Sequence, residues 1–150
     1  MTAGYTGDLV ADSAHLVPDT MLKQTVNDIT ATVSYEPPVF ADGLYGHLRF
    51  SLTEAGTSRP ITNLQTYLGA FGHMLIMSED MMEYVHAHPI EALPPGVNLE
   101  KVRGGPNVTF EGLMPKPGRY RAWTQFRRNN KVYTVVNTFN VTDANQSLRR

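Results

Sequence analysis

"RYRAWTQFRRNNKVYTVVNTFNV", residues 119–141, is the stretch on which the fold turns. Tyr120, Ala122 and Phe126 alternate with Arg121, Trp123, Gln125 and Arg127. A period of two is that of a strand with one face buried. Asn129-Asn130 interrupts the alternation, and asparagine tolerates the positive φ of a tight hairpin turn. The segment is therefore predicted to be a β-hairpin. Its arginines belong in water, so Trp123 and Gln125, which share their parity, are predicted to face outward too.

The same alternation recurs upstream. Ile29, Ala31, Val33 and Tyr35 oppose Asp28, Thr30, Thr32 and Ser34. Leu44, Leu48, Phe50 and Leu52 oppose Tyr45, His47, Arg49 and Ser51, and "NVTFEGL" (107–113) turns Val108 and Phe110 inward. "EPPVFADG", "TEAGTSRP" and "MPKPG" read as turns. "IEALPPGVNLEKVRGGP", residues 90–106, is long for a connection in a compact domain. The expected fold is all-β: an immunoglobulin-like or cupredoxin-like antiparallel β-sandwich of about seven strands. It should occupy residues 26–142, with 1–25 an N-terminal tail or docked arm and 143–150 a C-terminal tail.

Composition narrows the function. The chain has 150 residues and a formal net charge of −1, with no basic excess for nucleic acid. No apolar run is long enough for a transmembrane helix. The absence of cysteine removes disulfides, zinc ribbons and thiolate metal sites. The first residues lack the basic and apolar regions of a signal peptide, so an exported protein would begin here past its cleavage site.

Three of the five histidines, His73, His86 and His88, fall in "GHMLIMSEDMMEYVHAHP", residues 72–89. His86 and His88 share a face by parity. A two-residue turn at Glu79-Asp80 would place Ser78 opposite Met81, Met77 opposite Met82 and His73 opposite His86, with Cβ atoms ~5 Å apart. A three-residue turn would reverse His73. With Met74, Ile76, Met81, Val85 and Ala87 toward the core, the histidines, Leu75, Met77 and Tyr84 face outward. Met77 lies about 13 Å along the strand from His73, too far to share an ion. The connection 90–106 is expected to cover this face. His15 and His47, each alone on its segment, read as solvated or hydrogen-bonded. Glu79, Asp80 and Glu83 read as a solvated hairpin tip, and Arg127-Arg128 as a solvated turn.

Three imidazoles on one face, repelling one another when protonated, point to a metal ion. Copper is the expected ion, because it stands highest in the divalent affinity series; zinc and nickel are the alternatives. The carboxylates of the hairpin tip lie roughly 16 Å away, which leaves a metal-bound water without a base and predicts a binding protein, not an enzyme. A zinc hydrolase would require a carboxylate or tyrosine within reach of that water. The rival is an assembly module in which the same face meets a protein partner or a second copy of the chain.

"YLGAFGHMLIMSEDMMEYVHAHP" and "GPNVTFEGLMPKPGRYRAWTQFRRNNKVYTVVNTFNV" resemble a group of bacterial exported domains. Their pattern is L-G-x-x-G-H, a short hairpin, H-x-H-P, then F-P-x-P-G-x-Y-x-x-W-x-Q-F. The matching positions are Gly72, His73, His86, His88, Pro89, Pro117, Gly118, Tyr120, Trp123 and Gln125, and the likeness covers roughly residues 27–142. Met114 stands where the pattern has Phe. The group is similar to small periplasmic copper-resistance and cupredoxin-like sandwiches. The resemblance implies a periplasmic or extracellular location and a role in copper handling. The resulting expectation is one ion held by His73, His86 and His88, with Tyr84, Trp123 and Gln125 around it or forming a partner patch.

Overall fold

The computed structural model describes residues 16–145. Its nine strands are β1 (Lys23–Val26), β2 (Ile29–Glu36), β3 (Phe40–Ala41), β4 (Tyr45–Glu54), β5 (His73–Ser78), β6 (Tyr84–Pro89), β7 (Asn107–Leu113), β8 (Gly118–Arg128) and β9 (Lys131–Thr142). They form one continuous sheet in the order β1-β2-β4-β7-β6-β5-β8-β9-β3. The sheet curls so that its two halves face each other, which makes the fold all-β and sandwich-like. The corner is β6. Its first residues pair with β5, and His88 and Pro89 pair with β7.

Two strands exceed the expected seven. β1 lies mostly in the stretch read as a tail. Its side chains are alternately exposed and half-buried, so it carries no apolar period; main-chain pairing with β2 around the left-handed Asn27 holds it in place. β3 sits inside a stretch read as a turn and pairs in parallel with the end of β9. Two residues are too few to show a period. Phe40 presses its ring onto Gly46, where an added Cβ would stand 2.5 Å from the ring. That packing replaces the inward role expected of Leu44, which is instead 57% exposed.

The two inner faces meet through aromatic rings. Phe50 and Phe110 come from one half and Phe126 from the other, with centroids 5.4–6.4 Å apart in edge-to-face contact. Tyr35, Phe40 and Phe139 form a second group. Ile29, Leu48, Leu52, Met74, Ile76, Val108, Met114 and Ala122 fill the space between. The 119–141 hairpin forms as read: Arg128 pairs with Lys131, and Asn129 and Asn130 take φ of 51° and 62°.

The arm before β1 is docked. Leu16 is buried, and Asp19 bonds Thr138 through both its backbone N–H and its carboxylate. The Gln24 side chain donates to the Val136 carbonyl and accepts from its N–H. These contacts occupy an edge of β9 that would otherwise be open to another strand. Residues 1–15, including His15, and the last five residues lie outside the described part.

Candidate metal centre

The register of β5 and β6 follows from their loop. The Ser78 N–H donates to the Glu83 carbonyl, so the loop is the four residues 79–82, with Met81 left-handed at φ 63°. Asp80 organises it, accepting from the Ser78 hydroxyl and the Met82 N–H and pairing with Lys116. The Lys116 bond, then those from Ser78 and Met82, holds the Asp80 carboxyl well below the ordinary carboxylate range. Glu79 accepts from the Leu16 N–H. The tip is thus tied down rather than merely solvated.

This loop shifts the pairing by two residues from the expected one. Leu75, not His73, stands opposite His86, and Met77 stands opposite Tyr84. The pairing ends at Met74 and Ala87, and His88 leaves β5 to pair with β7. A shift of two preserves parity, so the faces are as read. Met74, Ile76, Val85 and Ala87 are buried, while Met81 lies in the loop and is exposed.

The structure brings the six expected residues onto one outer face. His73 pairs with Gln125, and Leu75 with Trp123. Trp123 and Gln125 are half-buried, and Tyr84, His86 and His88 are exposed. The His73 and His86 rings are 5.3 Å apart, the His86 and His88 rings 6.3 Å, and Tyr84 stacks on His86 at 5.8 Å. Two imidazoles on one tetrahedral ion have ring centres roughly 5 Å apart, given a metal–nitrogen bond of about 2.0–2.1 Å. The first pair has that spacing; His88 has to swing inward by about 1 Å to match it. Among the described residues no three His, Cys, Asp or Glu side chains are already gathered around a common point.

The connection 90–106 does not cover this face. It is tied elsewhere: Thr66 bonds the Leu99 carbonyl, Leu64 and Gly104 form a bridge, and Glu91 accepts from the Thr109 N–H. Tyr84 remains 63% exposed.

One residue beside the histidines, Glu111, escaped the sequence reading, while His47 is hydrogen-bonded as expected. Glu111 on β7 stands directly opposite His88 on one side and His47 of β4 on the other. His47 Nε2 lies 3.0 Å from Glu111 Oε2, and its Nδ1 lies 4.0 Å from Glu36 Oε1. Glu36 in turn pairs with Arg49. A transverse row therefore runs along the outer face from Glu36 through His47 and Glu111 to His88, and a second runs through His73, Gln125 and Thr134. The parity of Glu111 opposite Phe110 marked it as outward-facing. Only the β6–β7 pairing puts it beside the histidines.

Arg128 also departs from its reading as solvated. It is buried, donates to Asn63 Oδ1 at 2.9 Å and Glu54 Oε2 at 3.0 Å, and lies 4.0 Å from Asp28.

No curated protein matches this chain. Its fold is similar to the crystal structure of a DUF4426 family protein from Pseudomonas aeruginosa PAO1, with a TM-score of 0.52 at 7% identity. The match covers 80% of this chain and 96% of that one, and at such identity it speaks for the fold alone. A family model matches residues 24–143, from β1 to just past β9, and on that match the chain belongs to the family described as Domain of unknown function (DUF8832).

Proposed function

We propose that this chain is a metal-binding protein that holds one transition-metal ion through His73, His86 and His88, outside the cytoplasm, for sequestration, delivery or sensing. Copper is the first choice of ion, and zinc or nickel the alternatives, because imidazole donors without a thiolate suit all three and copper binds such sets most strongly. The observation that carries this reading is the gathering of three imidazoles on one outward face, two of them 5.3 Å apart. The exposure of His86 and His88 favours exchange of an ion over chemistry on it. A metal-bound water there would meet bulk solvent rather than a dry cleft.

The test is competitive titration of metal-free protein with Cu(II), Cu(I) under reductant, Zn(II) and Ni(II), beside His73→Ala and His86→Ala/His88→Ala. One tight equivalent, lost in both variants, is the expected result. Binding unchanged by the variants overturns the reading.

The assembly reading draws on a different observation. Tyr84 is 63% and Met82 76% exposed on the same hairpin, and such residues mark partner surfaces when they cluster. Under that reading the protein self-associates without metal, and Tyr84→Ala or Trp123→Ala disperses the oligomer in analytical ultracentrifugation. Under the metal reading those variants leave the oligomeric state unchanged.

A further inference from the structure

We infer that Glu111 is the fourth ligand of the three-histidine site, supplying its anionic oxygen, and that His47 is the positioning residue that aims it. The inference rests on the metal-binding reading and adds to it a carboxylate on a different strand pair. Glu111 and His88 are directly opposite partners on β7 and β6 and both face outward. Directly opposite Cβ atoms lie roughly 5 Å apart, within reach of one ion for side chains as long as Glu and His. His73 reaches the same face from β5, its ring 5.3 Å from that of His86, which lies 6.3 Å from His88.

The other side of Glu111 is already engaged. One carboxylate oxygen, Oε2, bonds His47 Nε2 at 3.0 Å. His47 is itself flanked by Glu36, which Arg49 pairs. Ligating carboxylates are typically held this way, one oxygen bonded to a neighbour and the other available to the metal. A surface ion pair needs no such backing row; Glu111 between two histidines, one of them in the site, is placed as a ligand is placed.

The chemistry of the donor makes a prediction that three histidines alone do not. Carboxylate oxygen is a hard donor. It strengthens binding of Cu(II) and Zn(II) and adds little for soft Cu(I). It also reduces the net charge of the complex by one, which matters on an exposed face where imidazoles alone leave the ion's full charge.

The experiment uses the whole chain with the metal ions themselves as probes. Cu(II), Zn(II) and Cu(I) are titrated against chelators for wild type, Glu111→Gln, His47→Ala, His47→Gln and Glu36→Gln, with the Cu(II) electron paramagnetic resonance spectrum of each. Glu111→Gln is expected to weaken Cu(II) and Zn(II) at least about tenfold and to alter the Cu(II) spectrum, with Cu(I) affinity kept. His47→Ala is expected to weaken Cu(II) by less, and His47→Gln, whose amide still donates to the carboxylate, to restore it. Glu36→Gln, one residue further from the ion, should weaken Cu(II) by no more than His47→Ala does. Wild-type Cu(II) affinity and spectrum in Glu111→Gln, with binding lost in His73→Ala, would overturn the inference and leave the three-histidine reading standing. Absence of tight binding by wild type removes both. Glu111 is a partly exposed surface residue and Gln is isosteric; thermal melts that match wild type are the control for the folding of each variant.

Discussion

At the scale of the residue, the pair Tyr133 and Asp28 shows how one hydrogen bond writes itself into the pH dependence of stability. The buried Tyr133 hydroxyl donates to Asp28 Oδ1 at 2.6 Å. That bond lowers the Asp28 carboxyl below its ordinary value. Burial first, then the same bond, pushes the Tyr133 phenol up to about 12. A lowered carboxylate contributes stability above its unfolded value, near 4, and loses it as pH falls through the folded one. A raised phenol contributes fully below its unfolded value, near 10, and loses its contribution as pH rises toward 12. Tyr133→Phe removes both effects. It should cost about 1 kcal/mol at neutral pH, a modest figure because Asp28 is largely exposed. Urea titrations at pH 3, 7 and 11 should show the deficit largest at pH 7; an equal deficit at all three would assign it to packing.

At the scale of the element, the β5–β6 hairpin depends on what lies under its first residue. Gly72 precedes His73, and a Cβ there would stand 2.7 Å from Phe110 Cζ and 3.1 Å from Phe126 Cε1. The close approach lets β5 begin tight against the inter-sheet aromatic cluster, which fixes where His73 leaves the core. Gly72→Ala should destabilise the protein by about 1–3 kcal/mol, as overpacking of a filled core does. It should weaken metal binding as well, since it displaces the strand that carries His73. Chemical denaturation beside the Cu(II) titration checks both; an affinity kept at wild-type level would show that the site does not depend on this contact. The hairpin also shows how far pattern reading reaches. Parity put His73, Tyr84, His86 and His88 on one face, and that held through a register error of two residues. The loop that set the register was not legible, because Asp80 secures it through Lys116, a residue 36 positions away in sequence.

At the scale of the whole molecule, closure of the sheet rests on contacts between distant segments. Arg128, at the tip of the β8–β9 hairpin, reaches Glu54 at the end of β4, Asn63 beyond it and the β1–β2 turn at Asp28. Arg128→Ala removes a buried cation from carboxylate and amide partners and should cost about 2–4 kcal/mol. Arg127→Ala, on the outer face of the same tip, should change stability by less than about 0.5 kcal/mol. A shared loss in thermal denaturation would mean that the hairpin tip, rather than its buried bond, is what stabilises closure.

Read alone, the sequence settles the all-β class, the long hairpin turned at Asn129-Asn130, the outward face shared by His73, His86 and His88, and the outward facing of Trp123 and Gln125 on their own strand. Each is a matter of parity or local turn chemistry, and a strand's period of two survives any packing that keeps one face dry. Which strands meet beyond the β5–β6 and β8–β9 hairpins was decided by the packing of the whole chain. It added β1 and β3, which main-chain pairing and one buried ring hold without an apolar period. It buried Arg128 and tied the hairpin tip to Leu16 and Lys116. It also set β7 beside β6, so that Glu111 stands between His47 and His88. Apart from the local β1–β2 hairpin, those contacts join residues tens of positions apart, and the free energy that selects them comes from closing one curled sheet over a common core.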